Sequence, residues 1–492
     1  MTIPEYDLAI IGVGAAGLIA ADFGLQLGAK VALLESDRIG GDCTWSGCVP
    51  SKSLIKVATV AQHIRTASRY GLSTVPPITQ LSRVRDYVQG TVAQIYAPTH
   101  PDALRDRGFS VYMGPTRFLD SHRLEVAADR LRARRIVICT GAAPHPPDIA
   151  GLAEVPYSNY RDIFQNDELP ARMIVIGGGP VGCEVAQAYQ RLGTQVTVVA
   201  ERLLPRAEPE VSELLARVLT REGLELHVGR AQSVRREGAI IHVRTTQGQI
   251  SAERLFVAAG RRPHIDELGL GAAGVRRTLT GIEVNRYLQT SQSHIYAAGD
   301  VLGGLQYSHL AGWQGFQAAR NALLPGRSVG LPEHVPQVTF TVPEVAQVGL
   351  TEPVARKRFG SNIQCHSFDL SRVDRAVSED DREGLLKIIA AANGQILGAT
   401  IVGERAGEAI SEVTLAMSNK IPLKNLAASI HPYPTYNSGW QFLATHLAMQ
   451  KTFSGTSGRL IRALSRWSLG RKPLGSIQAA GAKGAERRGD AA

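Results

Sequence analysis

The chain has 492 residues, 44% of them hydrophobic and 20% charged, an ordinary globular balance with room for about three domains and a large core. Its net charge of +10 lies mostly at one end: eight basic and two acidic residues follow from Ser454 onward, the remainder is near +4, and with no nucleic-acid-binding module in view a nucleic-acid partner is not expected. Five cysteines are too few, and odd in number, for a secreted disulfide framework; no apolar run reaches the ~18 residues of a membrane span, and MTIPEYDLAIIGVG enters a strand pattern without a signal peptide, so the expected compartment is the cytosol.

In chain order, Asp7 to Glu35 (DLAIIGVGAAGLIAADFGLQLGAKVALLE) reads as strand, glycine turn, helix and strand. GGDCTWSGCVPSK, Gly40 to Lys52, then brings Cys43 and Cys48 together with four residues between them. LRARRIVICTGAAPHPP is a buried strand that stops at Thr140-Gly141 before a proline-rich break. Met173 to Glu201 (MIVIGGGPVGCEVAQAYQRLGTQVTVVAE) repeats the opening unit. Two GxGxxG turns, each in full strand-turn-helix-strand context, predict two dinucleotide sites. The first glycine allows the tight turn, the second lets a diphosphate approach the backbone, and the third packs helix on strand. LFVAAGRRPH and SHIYAAGD give two more strands, ending at Gly260 and at Gly299-Asp300, as expected at the carboxyl ends of a parallel sheet. From about Val335 the texture becomes that of an antiparallel sheet with helices. The fold class is therefore α/β, two Rossmann-like units and an α+β C-terminal domain, with parts at 1–150, 151–270, 271–330 and 335–453 and a basic tail at 454–492. Within the tail, GRLIRALSRWSLGRK interleaves apolar residues with Arg459, Arg462, Arg466, Arg471 and Lys472, and the Gly/Ala-rich end has the composition of a disordered segment.

Structural zinc would need a second ligand pair that the sequence lacks, and no resident metal is expected. A staple across so short a loop would remove little chain entropy. A reversible redox pair remains, while Cys139, Cys183 and Cys365 read as buried or inert thiols.

With GGxCxxxxCxPSK after a first GxGxxG, a second GxGxxG, the CTG turn, AAGRRP, YAAGD and TFTVPEVAQVGLTE in that order, the stretch from Tyr6 to Lys451 resembles the flavin-dependent pyridine nucleotide-disulfide oxidoreductases. The resemblance implies FAD along the first Rossmann unit, with Gly12, Gly14 and Gly17 at its diphosphate, Glu35 on the adenosine ribose, and Gly41, Lys52, Gly114, Thr140, Gly141 and Asp300 along the rest. It implies NAD(P)H on the second unit at Gly177, Gly179, Gly182, Glu201 and Gly260. Hydride passes to the flavin, and electrons leave it for a Cys43-Cys48 disulfide, in which Cys48 faces the flavin and Cys43 the acceptor. Both sulfurs work as thiolates, which a helix N-terminus and the cation of Lys52 would favour; Lys52 is expected to pair with Glu184. The last domain implies a homodimer.

The acceptor is read from IHPYPTYNSGW, Ile430 to Trp440. Lipoamide- and glutathione-type members carry HxHPTxxE there, the second histidine moving a proton for the partner subunit. Tyr433 and Ser438 stand in those places here. A phenol near pH 10 is a poor base at neutrality, so Tyr433 argues for the mercuric reductase-like branch. Against a full mercuric reductase, the chain carries neither a vicinal cysteine pair at its end nor an N-terminal CxxC domain. One alternative is a dihydrolipoamide dehydrogenase in which His431 replaces the base; another is a flavin-bound redox sensor. Glu201 favours a ribose hydroxyl and hence NADH, although Arg202 and Arg206 stand where a 2′-phosphate would be met. The basic tail is compatible with peripheral contact with an anionic membrane.

Overall fold

The computed structural model describes residues 3–469. Its first sheet is built on Glu5–Ile11, which pairs in parallel with Val31–Glu35 on one side and Asp129–Ile138 on the other. Leu8, Ala9, Ile10 and Ile11 are all buried, the continuous apolar run of a parallel strand covered on both faces. Ser110–Met113 extends this sheet beyond Val31–Glu35, and Ile295–Ala297 returns from far along the chain to pair in parallel with Asp129–Ile138. On one face the helices Ala15–Gln26 and Ser308–Leu323 meet so closely that a Cβ on Gly315 would lie 2.1 Å from the Ala16 carbonyl oxygen.

The second unit has a parallel sheet ordered Glu225–Val228, Gln195–Ala200, Arg172–Ile176, Arg254–Val257. Pro180–Leu192 is its crossover helix, and a three-stranded antiparallel sheet over residues 231–252 lies beside it. Both repeats use glycine for the same two reasons. Gly12 has φ +91°, and its missing Cβ would sit 2.5 Å from the Cys139 carbonyl oxygen. Gly17 lets the first helix approach until a Cβ there would be 2.1 Å from the Gly12 oxygen; Gly182 stands 1.9 Å from Gly177 in the same sense.

The C-terminal domain holds an antiparallel sheet in the order Gln337–Thr339, Glu344–Gly349, Ile396–Gly403, Leu385–Ala391, Ile363–Asp369. Ala406–Ser418 and Ser438–Phe453 pack on it around the fully buried Trp440. The basic segment forms a helix over Gly455–Ser468, whereas Arg471, Lys472 and the Gly/Ala-rich end lie outside the described residues. Among the described residues no helix is long and apolar enough to cross a membrane.

Candidate redox site

Cys43 lies in the short helix Gly41–Trp45, and Cys48 opens the long helix Cys48–Thr66 behind Gly47. Both are free thiols within hydrogen-bonding reach of one another. Their surroundings separate them. The hydrogen bond from Cys43, then those from the Ser308 hydroxyl and the charge of Lys52, overcome burial and bring the Cys48 thiol down to about 6. The same pairing, together with burial, pushes the Cys43 thiol far up. At neutral pH the negative charge therefore rests on Cys48 and the proton on Cys43, whereas the sequence alone suggested two thiolates.

Lys52 extends one turn along from Cys48 and donates to Glu184 Oε2 at 2.9 Å, its ammonium 4.3 Å from the centre of the Phe340 ring. Glu184 is buried, and its Oε1 accepts the Phe340 amide at 2.8 Å. Gln187, one turn further, exchanges two bonds with the Val342 backbone at 2.7 and 2.8 Å. The crossover helix of the second unit thus holds both the lysine beside the cysteines and the first strand turn of the C-terminal domain.

The other residues implied by the resemblance fall into two groups. At the ends of the first sheet, Gly14 starts its helix with no side-chain cap, and a Cβ on Gly41 would come within 2.9 Å of the Gly14 Cα. Glu35 is buried beside them, accepting the amides of Val13 at 2.8 Å and Asp37 at 3.0 Å, and the Gly114 amide donates to its carbonyl at 2.7 Å. Thr140 Oγ1 and the Gly141 carbonyl both bind the backbone of His264. In the second unit, Gly179 starts an uncapped helix with nothing within 4 Å of its Cβ position, Gly177 and Gly182 close the turn, and Gly260 lies against the His145 carbonyl. Glu201, at the end of the Gln195–Ala200 strand, is exposed and pairs with Arg230 at 3.0 Å.

Four residues that sequence reasoning did not select complete the site. Arg261 Nη2 donates to Asp42 at 3.0 Å and to Asp300 at 3.1 Å, and Tyr160 adds its hydroxyl to Asp42 at 2.8 Å. Burial pushes the Asp300 carboxyl up while Arg261 draws it back. The fourth, Ser308, places its Oγ 3.2 Å from Cys48 Sγ. Arg261 was marked only by its place in AAGRRP; nothing local marked Ser308.

His431 and Tyr433 both make their hydrogen bonds within the C-terminal domain. His431 Nε2 meets Glu412 at 2.8 Å and Nδ1 meets the Ser429 carbonyl at 3.1 Å, so neither nitrogen is turned outward. Tyr433 is 68% exposed and donates its hydroxyl to Asp374 Oδ2 at 2.7 Å. That bond raises the phenol above its ordinary range. Ser438 is buried and caps locally onto Thr435.

Two uncapped helix N-termini with glycine at their starts fit two dinucleotide diphosphates. Asp42, Arg261 and Asp300 form a continuous polar chain joined through the Arg261 guanidinium. Bound there, FAD supplies two-electron transfer between nicotinamide and the dithiol.

The family model described as pyridine nucleotide-disulphide oxidoreductase matches residues 6–322, and that for the dimerisation domain matches residues 335–443. A mercuric reductase of Staphylococcus aureus is 36% identical over 450 residues, spanning 89% of this chain and 82% of that protein. A dihydrolipoyl dehydrogenase of Thermus scotoductus is 35% identical over 462 residues, spanning 90% and 98%. Among solved structures, LpdA from Mycobacterium tuberculosis superposes with a TM-score of 0.82 at 28% identity, covering 90% of this chain and 100% of that one. The HOCl-induced flavoprotein disulfide reductase RclA from Escherichia coli gives 0.81 at 26%, covering 89% and 99%. The chain belongs to the pyridine nucleotide-disulfide oxidoreductases, and is an FAD-dependent enzyme that acts on NAD(P)H through a redox-active cysteine pair, with a dimerisation domain that makes it a homodimer.

Proposed function

We propose that this enzyme is a mercuric reductase-like NAD(P)H oxidoreductase, passing electrons through Cys43 and Cys48 to an acceptor that needs no imidazole base. The observation that carries the reading is Tyr433: an exposed phenol, raised further by Asp374, stands where thiol-releasing relatives would hold a histidine. Returning a proton to a departing dithiol calls for a group that titrates near neutrality, which this one does not. His431 does not offset the loss, because Glu412 and the Ser429 carbonyl engage both its nitrogens. In this reading Tyr433 of one subunit reaches the cysteines of the other, Lys52 and Glu184 serve the flavin side, and the glycines described above hold FAD and NAD(P)H. A soft metal ion is the acceptor class that thiol chemistry favours.

NADH is the preferred donor in this reading. Glu201 stands exposed at the strand end, while Arg202 spends its guanidinium on the carbonyls of Pro205 and Ala207 at 2.7 and 3.1 Å. We also assign the Gly455–Ser468 helix a peripheral contact with an anionic bilayer: Leu460, Leu464 and Trp467 are exposed on one side, with Arg459, Arg462 and Arg466 on the other. Liposome flotation of full-length protein and of protein ending at Phe453 tests that contact, and equal flotation removes it.

The main test is an anaerobic acceptor screen of the yellow holoenzyme with both nicotinamides, offering mercuric ion, lipoamide, glutathione disulfide and quinones. Mercuric ion should be reduced faster than lipoamide, and Tyr433→His should raise lipoamide turnover. Efficient lipoamide reduction by the wild type, collapsing in His431→Ala, would instead establish the dihydrolipoamide dehydrogenase reading.

A further inference from the structure

Ser308 is the first residue of the 16-residue helix Ser308–Leu323, and Tyr307 precedes it in extended conformation. Its Oγ lies 3.2 Å from Cys48 Sγ. The contact joins residues 260 positions apart, so it exists only because the returning chain lays this helix against the first unit. The residues on either side fix the position: Tyr307 donates its hydroxyl to Gln337 at 3.0 Å, and His309 Nε2 meets the Pro336 carbonyl at 2.9 Å. Two helix N-termini, that of Cys48–Thr66 and that of Ser308–Leu323, consequently converge on one sulfur.

We propose that Ser308 is a third catalytic residue of the redox centre, donating its hydroxyl hydrogen to Cys48 in the reduced pair and thereby deciding which of the two sulfurs carries the charge. Reduction breaks the Cys43–Cys48 bond, and the two electrons delivered from NAD(P)H through bound FAD, with one proton, leave Cys43 as a thiol and Cys48 as a thiolate. A thiolate has no proton to give, so the hydrogen in the Cys48–Ser308 contact must come from the serine. Hydrogen bonds to a charged partner are roughly twice as strong as neutral ones, and here the bond acts on the reduced state, because a disulfide sulfur accepts hydrogen bonds only weakly. Ser308 therefore stabilises the dithiol form over the disulfide and makes the couple more oxidising. It also leaves the proton on Cys43, the sulfur that meets the acceptor.

The proposal rests on the Cys43-Cys48 assignment, and the test separates the two. Holoenzyme of wild type, Ser308→Ala and Ser308→Thr is reduced anaerobically by two electrons. The long-wavelength absorbance of the thiolate beside the flavin is followed against pH, and the midpoint potential of the cysteine couple is measured. Alanine is a strong helix former that adds no volume at a helix start, and retained yellow colour reports that each variant is folded. In Ser308→Ala we expect the absorbance to appear about one pH unit higher, a tenfold loss of thiolate stability. The potential should fall by about 30 mV, the equivalent of tenfold for a two-electron couple. Ser308→Thr, which keeps a hydroxyl, should restore both values. An alanine variant with unchanged onset and potential overturns the role of Ser308, as does a threonine variant that behaves like alanine, since the effect would then be one of packing. Absence of the band in the wild type would instead remove the cysteine assignment itself.

Discussion

At the scale of single residues, the pair at 43 and 48 is chemically unequal before any acceptor arrives. The Cys48 thiol is brought down to about 6 by Cys43, Ser308 and Lys52, whereas its partner Cys43 is pushed up. A group lowered in this way is ionised above its pKa and gains a proton below it. The long-wavelength band of the two-electron-reduced enzyme should thus persist at neutrality and fade as pH falls through about 6, measured by anaerobic spectrophotometry. Retention of the full band well below that pH would contradict the assignment. Lys52→Met removes the nearest cation, so the fade should move upward by about one pH unit, within the range for loss of an opposite charge at close range. The cysteines, Lys52 and Glu184 were legible because a local motif and one helical repeat contain them. Asp42, Arg261 and Ser308 were not: the Asp42–Arg261 bond spans 219 positions and the Ser308–Cys48 contact 260, and no local pattern records such pairings.

At the scale of elements, the proposed cofactor sites rest on the space that the glycines of each strand-turn-helix-strand unit leave. A methyl at Gly182 would lie 1.9 Å from the Gly177 oxygen, which neither backbone can yield without moving the helix start. Gly182→Ala should leave the protein yellow while weakening nicotinamide binding at least about tenfold, roughly 1.4 kcal/mol, as read from the half-saturation of flavin reduction. Gly17→Ala should do the reverse and yield protein poor in FAD; both variants binding normally would sever the link between these turns and the cofactors. Such units were readable from sequence because buried parallel strands are uninterrupted apolar runs and glycine turns recur at fixed spacing. The segment between the cysteines and the Ser110–Met113 strand was not read, although it forms helices at Leu81–Tyr96 and Pro101–Asp106. Its apolar residues are sparse: Leu81, Val88 and Val92 alone are buried in the longer helix, a weak stripe to recognise without the packing partner.

At the scale of the whole molecule, a buried lysine ties the second nucleotide unit to the C-terminal domain. Lys387, on the Leu385–Ala391 strand, is buried among Glu208 at 3.3 Å, Glu210 at 2.5 Å and Glu352 at 2.7 Å. Removing one partner from a buried ionic cluster leaves the others uncompensated, so Lys387→Met should destabilise the fold by about 3 kcal/mol in denaturant unfolding. A loss below about 0.5 kcal/mol would mean that the cluster is no stronger than a surface pair. The proposed role of Tyr433 belongs to this scale as well, because in that reading it acts across the subunit boundary.

The most direct test of the account is stepwise anaerobic reduction of the holoenzyme by NADH, with Cys43→Ser and Cys48→Ser beside the wild type. Addition of one equivalent to the wild type should bring up long-wavelength absorbance while the yellow flavin persists. Cys43→Ser should show that absorbance before any reductant is added, and Cys48→Ser should never show it. A wild type whose flavin bleaches at once, with no such absorbance at any stage, would contradict the passage of electrons onto this cysteine pair.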